Sequence, residues 1–273
     1  MALSRRCIVF ACVAVAVVPF AACSKDTKRP SIASGSSSAS ASASVAPLST
    51  TTSTTAPAGG CDASPPPGSA INVTNADGDF NGDGTTDTLT VYGTGTVTQP
   101  SPYHLQVVLG NSQGTIDNVI ADAATDNSQT VTALGGADIT ASAGLPPDGS
   151  GAEAFVQVGS GASASLVGVF QLVGCSLTRL VGPLGTEPSL FAIGGSVTHQ
   201  SGLRCDGTAG GQRLVQLGAT SDDGITYQTT QTRLQVQGGR FSPLGAPIVG
   251  TVDGTDPALQ RFGVLDCRGV QAP

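Results

Sequence analysis

From Cys61 onward, apolar and polar residues alternate in short bursts separated by glycine-rich turns. The bursts are LTVYG ending at Gly93, LQVVLG ending at Gly110, AFVQVG ending at Gly159, RLVQLG ending at Gly218 and LQVQGG ending at Gly239. A period of two places successive side chains on opposite faces of a strand, so each burst predicts a half-buried β-strand. No segment shows the 3.6-residue period of a long amphipathic helix, and the chain is expected to be all-β.

The bursts recur. Asp83-Gly84, Asp148-Gly149 and Asp206-Gly207 each precede one, with anchors 65 and then 58 residues apart. Further hairpin-like stretches follow at Leu105 to Ile116, Phe170 to Leu180 and Leu234 to Leu244. This spacing suits about three degenerate four-stranded units over 61–273, in an open or compacted arrangement, with a β-sandwich as the alternative.

The first 60 residues follow different rules. Residues 1–22 carry Arg5 and Arg6 ahead of a 13-residue apolar run from Ile8 to Phe20, the length of a signal h-region and short for a bilayer span. The run ends Ala21-Ala22-Cys23, which resembles a bacterial lipoprotein signal. That resemblance implies cleavage before Cys23, its lipidation, and attachment to the outer face of the cell membrane. Ser4-Arg5-Arg6 leaves the export route, Sec or Tat, open. The remainder of 23–60 is nearly all Ser, Thr, Ala, Pro and Gly, too polar to bury a core, and reads as a disordered tether. Its 37 residues after Cys23 give a root-mean-square reach of roughly 30–37 Å. Lys25, Lys28 and Arg29 lie where they would meet anionic headgroups.

Composition narrows the function. The chain has 37 Gly and 17 Pro in 273 residues, no Trp and a formal net charge of −7. Residues 61–174 hold 11 Asp and Glu and no Lys or Arg, whereas 175–273 hold 7 acidic residues against 7 Arg. Neither part has a basic excess to neutralise phosphates, so nucleic acid is not an expected partner. A cation bound in the acidic half would relieve its self-repulsion.

That half contains one stretch with metal-ligand spacing, DGDFNGDGTTD, from Asp77 to Asp87. Asp79, Asn81 and Asp83 place oxygens at alternate positions, Gly84 permits a sharp turn, Thr85 offers its carbonyl, and Asp87 closes the set. Short oxygen side chains at this spacing suit Ca2+, which takes oxygen ligands at about 2.3–2.6 Å. Without an ion, the same residues would make a turn held by side-chain to backbone hydrogen bonds. A helix-loop-helix calcium site would have Glu where this chain has Thr90. The loop instead resembles the FG-GAP or VCBS-type repeat, a DxNxDGxxD calcium loop leading directly into a strand. The resemblance implies propeller-type β repeats, usually extracellular, in which a structural calcium stiffens the turn. In the other two units the equivalents of Asp79, Asn81 and Asp87 are Gly144, Pro146 and Ala152, and Gly202, Arg204 and Gly210, so those turns are expected to lack metal.

Apart from Cys7, Cys12 and Cys23, four cysteines remain, and an even number in an exported chain implies two disulfides. The expected pairs are Cys175–Cys205 and Cys61–Cys267. His104 and His199 are expected to be ordinary strand or turn histidines; no GxSxG elbow accompanies His199. Asp222-Asp223-Gly224 reads as a hairpin turn. The chain is therefore expected to be a non-enzymatic binding or structural module with a protein or cell-wall partner. With only three Tyr and no Trp for sugar stacking, a protein is favoured. The competing expectation is an exported hydrolase with dispersed catalytic residues.

Overall fold

Alternation in the first bursts produces a five-stranded sheet. A computed structural model describes residues 61–110, 114–120, 131–139, 151–183, 185, 187–208 and 211–273. The signal and tether segments, Cys23 and the Asp148-Gly149 turn lie outside the described residues. Strands β2 (Ile71–Gly78), β3 (Asp87–Gly93), β4 (Tyr103–Leu109) and β5 (Gly114–Ile120) form an antiparallel meander. The short β1 (Cys61–Asp62) joins β5 in parallel, giving the order β1-β5-β4-β3-β2. In β4 the period of two is clean: Tyr103, Leu105, Val107 and Leu109 are buried, while His104, Gln106 and Val108 point to the other face.

An eleven-stranded sheet follows. Its main path comprises β6 (Thr132–Ala137), β7 (Glu153–Ser160), β8 (Ala164–Val173), β10 (Phe191–Ser196), β11 (His199–Thr208), β12 (Gly211–Thr220), β13 (Thr226–Gln237) and β14 (Arg240–Pro243). Three short strands lie off the path: β9 (Ser176–Arg179) pairs with β8, β15 (Ile248–Asp253) with β13 and β16 (Leu265–Asp266) with β11. Both sheets are open. The strands of the second and third sequence units run in this one sheet.

Strands β6, β7 and β8 are buried from both sides. Ala133, Ala154, Val156, Val158, Phe170 and Leu172 pack with Leu89, Val91, Leu105, Val107 and Ile116 of the first sheet. The opposite faces of the same strands present Leu134, Phe155, Val167 and Val169 to a second core with Phe191, Leu203, Leu214, Leu234 and Phe241. For one sheet to supply both walls of that second core it must curl, and a single bridge, Val181 to Arg240, marks where β14 comes back to the chain beyond β9. A smaller cluster places Val215, Leu217, Ala219 and Tyr227 under Phe262 of a 3-10 helix, Pro257–Gly263. Asp256 caps that helix, accepting from the Ala258 amide at 2.8 Å, with Pro257 at the first position where no amide hydrogen is needed.

The four cysteines form two disulfides, but the pairs are Cys61–Cys175 and Cys205–Cys267, with Cα separations of 5.4 and 4.7 Å. This corrects the pairing expected from sequence, and strand register supplies the reason. Leu203 pairs with Leu265 and Arg204 with Asp266, so the next residues in parallel, Cys205 and Cys267, fall side by side. Cys61 enters at the β5 edge, and β5 is tied to the β8–β9 hairpin by the Leu177 amide donating to Asn118 Oδ1 at 2.8 Å. Cys175 sits in the turn of that hairpin and so comes within reach of Cys61.

Non-reducing peptide mapping is expected to recover Cys61–Cys175 and Cys205–Cys267 linked peptides and no Cys175–Cys205 link. Replacing both Cys205 and Cys267 by Ser should lower unfolding stability by about 2–5 kcal/mol in urea titration, since the bond closes a 62-residue separation.

Candidate functional site

The acidic loop connects β2 to β3. Gly78 pairs with Asp87 as the last rung of the hairpin, and residues 79–86 arch beyond it. Two glycines make the arch feasible: Gly82 and Gly84 have φ of 73° and 83°, a region costly for residues with a Cβ. No atom lies within 4 Å of a Cβ built on Gly84, so the requirement there is backbone conformation and not space. Phe80 anchors the loop by turning into the first core, where it is fully buried. The Asp79 carbonyl accepts from the Ala152 amide at 2.7 Å and fixes the loop to the start of β7.

Of the predicted loop residues, the structure brings the side chains of Asp79, Asn81 and Asp83 together, with Asp87 at the base of the arch. Asp79 accepts the Asp83 amide at 3.0 Å and the Gly84 amide at 2.9 Å through its two carboxylate oxygens. Asn81 Oδ1 also accepts from the Asp83 amide, at 3.1 Å, and its Nδ2 donates to Asp83 Oδ2 at 3.1 Å. Asp83 Oδ1 takes the Thr85 amide at 2.7 Å. At the base of the arch Asp87 is fully buried, with Oδ2 accepting from the Phe80 amide at 2.7 Å and Oδ1 from the Gly110 amide at 2.8 Å. Burial raises the Asp87 carboxyl above its ordinary value; the amides of Gly110, Phe80 and Asn81 oppose that rise, and the Asp79 carboxylate adds to it.

These donors fit a hard cation by chemistry, being all oxygen. Counting only His, Cys, Asp and Glu, no group of three or more among the described residues is assembled to hold a metal. An ion at this loop would therefore draw on the Asn81 amide oxygen and the Thr85 carbonyl as well as the carboxylates. The hydrogen bonds present are also those of a turn that holds itself closed.

A second polar cluster was not legible in the sequence. On the outer face of the first sheet, register sets Tyr92 opposite His104 and Gln106 opposite Asp117. His104 Nδ1 lies 2.6 Å from Asp117 Oδ1, and its ring stacks on Tyr92 with centroids 4.9 Å apart and an interplanar angle of 13°. The Tyr92 hydroxyl donates to Asp117 Oδ2, and burial followed by that carboxylate raises the phenol's pKa. Gln106 Nε2 donates to the same Oδ2 at 3.1 Å and to the Ser64 carbonyl at 2.9 Å, which clamps the segment leading out of β1 against the sheet. Only the polar residues at alternate positions of the YHLQVV stretch hinted at this face, and their partners come from other strands. His199 is elsewhere, on β11, with Nε2 3.1 Å from Ser201 Oγ on the same strand. Asp222 and Asp223 lie in the β12–β13 hairpin turn, where Asp223 accepts the Ile225 and Thr226 amides at 2.8 and 3.2 Å.

Comparison with models of protein families, with curated proteins and with solved structures found no match.

Because Asp87 binds its proton more tightly folded than unfolded, its ionisation opposes folding above the raised value. In chelator, the stability of the wild type relative to Asp87→Asn is expected to rise as pH falls through the raised Asp87 pKa toward 3.8, and to level off below it. Urea titrations of both proteins across that range measure the difference, and a difference that falls on acidification would contradict it.

Proposed function

We propose that the chain is a lipid-anchored, extracytoplasmic binding or structural module, without catalysis, whose β domain is stabilised by Ca2+ at the loop from Asp79 to Asp87. The observation that carries the reading is the loop itself. Asp79, Asn81 and Asp83 crowd around two left-handed glycines above a buried carboxylate, at the point where the chain enters β3. A dication there would favour the ionised form of Asp87 and offset the mutual repulsion of the carboxylates. The side chains of Asp79, Asn81, Asp83 and Asp87 and the carbonyl of Thr85 would hold it. Its role would be to stiffen the turn, as the FG-GAP or VCBS-type resemblance implies.

The two disulfides are weak support for an oxidising, extracytoplasmic setting, to which the signal-like start and Cys23 also point. In this reading Cys23 carries the lipid, residues 24–60 are the tether, and the domain is presented at the outer face of the membrane to a protein or wall partner. The sets β3–β4–β5, β7–β8–β9 and β12–β13–β14 each form a run of antiparallel neighbours, in keeping with three degenerate units. Packing of the first sheet on β6–β8 favours a sandwich-like description over separate propeller blades.

One observation favours a second reading, an exported hydrolase. His104 is oriented by Asp117 as a general base would be. Hydrolysis of ester or peptide substrates that His104→Ala abolishes would move the protein into that class.

The first reading is tested by thermal unfolding of the oxidised protein with Ca2+ and with chelator. Calcium is expected to raise the melting temperature by several degrees in the wild type and to leave Asp83→Ala unchanged. Equal melting with and without the ion in the wild type would reduce the loop to a turn. Cys23→Ser is expected to move the protein from the membrane to the soluble fraction; retention in the membrane would remove the lipid anchor from the proposal.

A further inference from the structure

We propose that the outer edge of β15 is a self-association site, pairing antiparallel with β15 of a second copy about a twofold axis at Gly250. One edge of the strand is occupied by β13, in an unbroken register from Thr226 opposite Asp253 to Gln231 opposite Ile248. Among the described residues no strand pairs with its other edge. Residues 248–251 are exposed, with Val249 at 75% and Ile248 at 52% of their full accessible surface. Such an edge offers a row of backbone donors and acceptors to any extended chain.

Within residues 248–252 the usual protections of an edge are missing, although Pro247 stands just before them. The strand has no proline, its pairing with β13 shows no bulge, and the only lysines of the whole chain are Lys25 and Lys28. The single charge is Asp253, at its end.

The sequence of the strand selects its own copy as the occupant. Ile248, Gly250 and Val252 share one face, and Val249, Thr251 and Asp253 the other. Directly opposed residues in an antiparallel pair lie on the same face, so a symmetric pairing must centre on one residue. Centred on Gly250, it opposes Ile248 with Val252 of the second copy and Val249 with Thr251. All four cross-strand contacts are then between β-branched side chains, which pack well on a pleated sheet surface. The two Asp253 carboxylates fall outside the paired segment, roughly 20 Å apart and beyond the ~8 Å screening length at physiological salt. Centred on Thr251 instead, the pairing would set Val249 against Asp253 at both ends. The Gly250 register is therefore the favoured one. With only the segment Ile248 to Val252 paired on each side, far fewer residues than the roughly 20–30 of a standard stable interface, the dimer is expected to dissociate on the order of 10–1,000 μM.

The test uses the full chain carrying Cys23→Ser, which removes any association driven by lipid. Sedimentation equilibrium is expected to show a monomer–dimer equilibrium in that concentration range. Val249→Lys with Thr251→Lys, which would bring four ammonium groups together across the edge, should weaken association at least tenfold without altering the circular dichroism or melting temperature. A short bis-maleimide should cross-link Gly250→Cys into a dimer but not Asp253→Cys, whose twin lies far away. A protein that stays monomeric to 1 mM overturns the proposal, as does a dimer that the lysines leave intact. A dimer that cross-links equally at Asp253→Cys overturns the register.

Discussion

Burial of β6, β7 and β8 on both faces is the constraint on which the domain depends. A sheet strand ordinarily hides one face, and its sequence alternates accordingly. Here Ala154, Phe155 and Val156 are consecutive and all fully buried, because Ala154 and Val156 face the first core while Phe155 faces the second. Two structures have to be supplied for this to hold. The first sheet covers one side, and the remainder of the long sheet must curl to cover the other. The residues doing the covering are Val, Leu, Ile and Phe of ordinary size, consistent with a chain that lacks Trp. Packing on both faces leaves some strand positions no room for a side chain. A Cβ on Gly136 would come within 2.7 Å of the Phe80 ring, so the loop's anchoring residue fits only because that position is bare.

The disulfides and the buried polar groups act at the margins of this arrangement. Cys61–Cys175 joins the start of the domain to the hairpin that flanks β5, and Cys205–Cys267 joins its last short strand to β11. Each therefore secures a two-residue strand that backbone pairing alone would hold weakly. The Tyr92–His104–Asp117–Gln106 network reinforces the first of these, since Gln106 reaches past the sheet to the Ser64 carbonyl. Gln106 is fixed in one orientation because its Nε2 faces two acceptors. Its Oε1 is left buried and, among the described residues, without a hydrogen-bond partner, the desolvation cost of that clamp.

Local features were readable from sequence where the physics is local. LTVYG, AFVQVG and RLVQLG became β3, β7 and β12 because alternation and β-branched residues suffice to mark strands. Asp222-Asp223-Gly224 became a hairpin turn for the same reason, the Asp223 side chain accepting from the amides two and three residues on. Disulfide partners, the two-sided burial and the His104 cluster depend on which strands lie side by side, and no single burst encodes that. The AFVQVG burst held one available clue, a run of three adjacent apolar residues that departs from strict alternation. Such a run signals a strand covered on both faces. Cysteine parity gave the number of bonds, but choosing between partners needed the register of β11 against β16.

Asp87 shows how these levels meet in one residue. It begins β3, so its position is set by the hairpin; it is buried because Phe80 draws the loop inward; and it is hydrogen-bonded because burial leaves it only amide donors. The amides of Gly110, Phe80 and Asn81 oppose the loss of solvation only in part, which is why its carboxyl remains above the ordinary value. The neighbouring carboxylate of Asp79 pushes the same way. A loop of this composition is thus under electrostatic tension at neutral pH, in a stretch, residues 61–174, that contains no Lys or Arg. Protonation relieves that tension at low pH, and a dication would relieve it at neutral pH while drawing on the same oxygens. Proton and cation would then compete for one site, and a stabilisation by calcium would weaken as Asp87 acquires its proton.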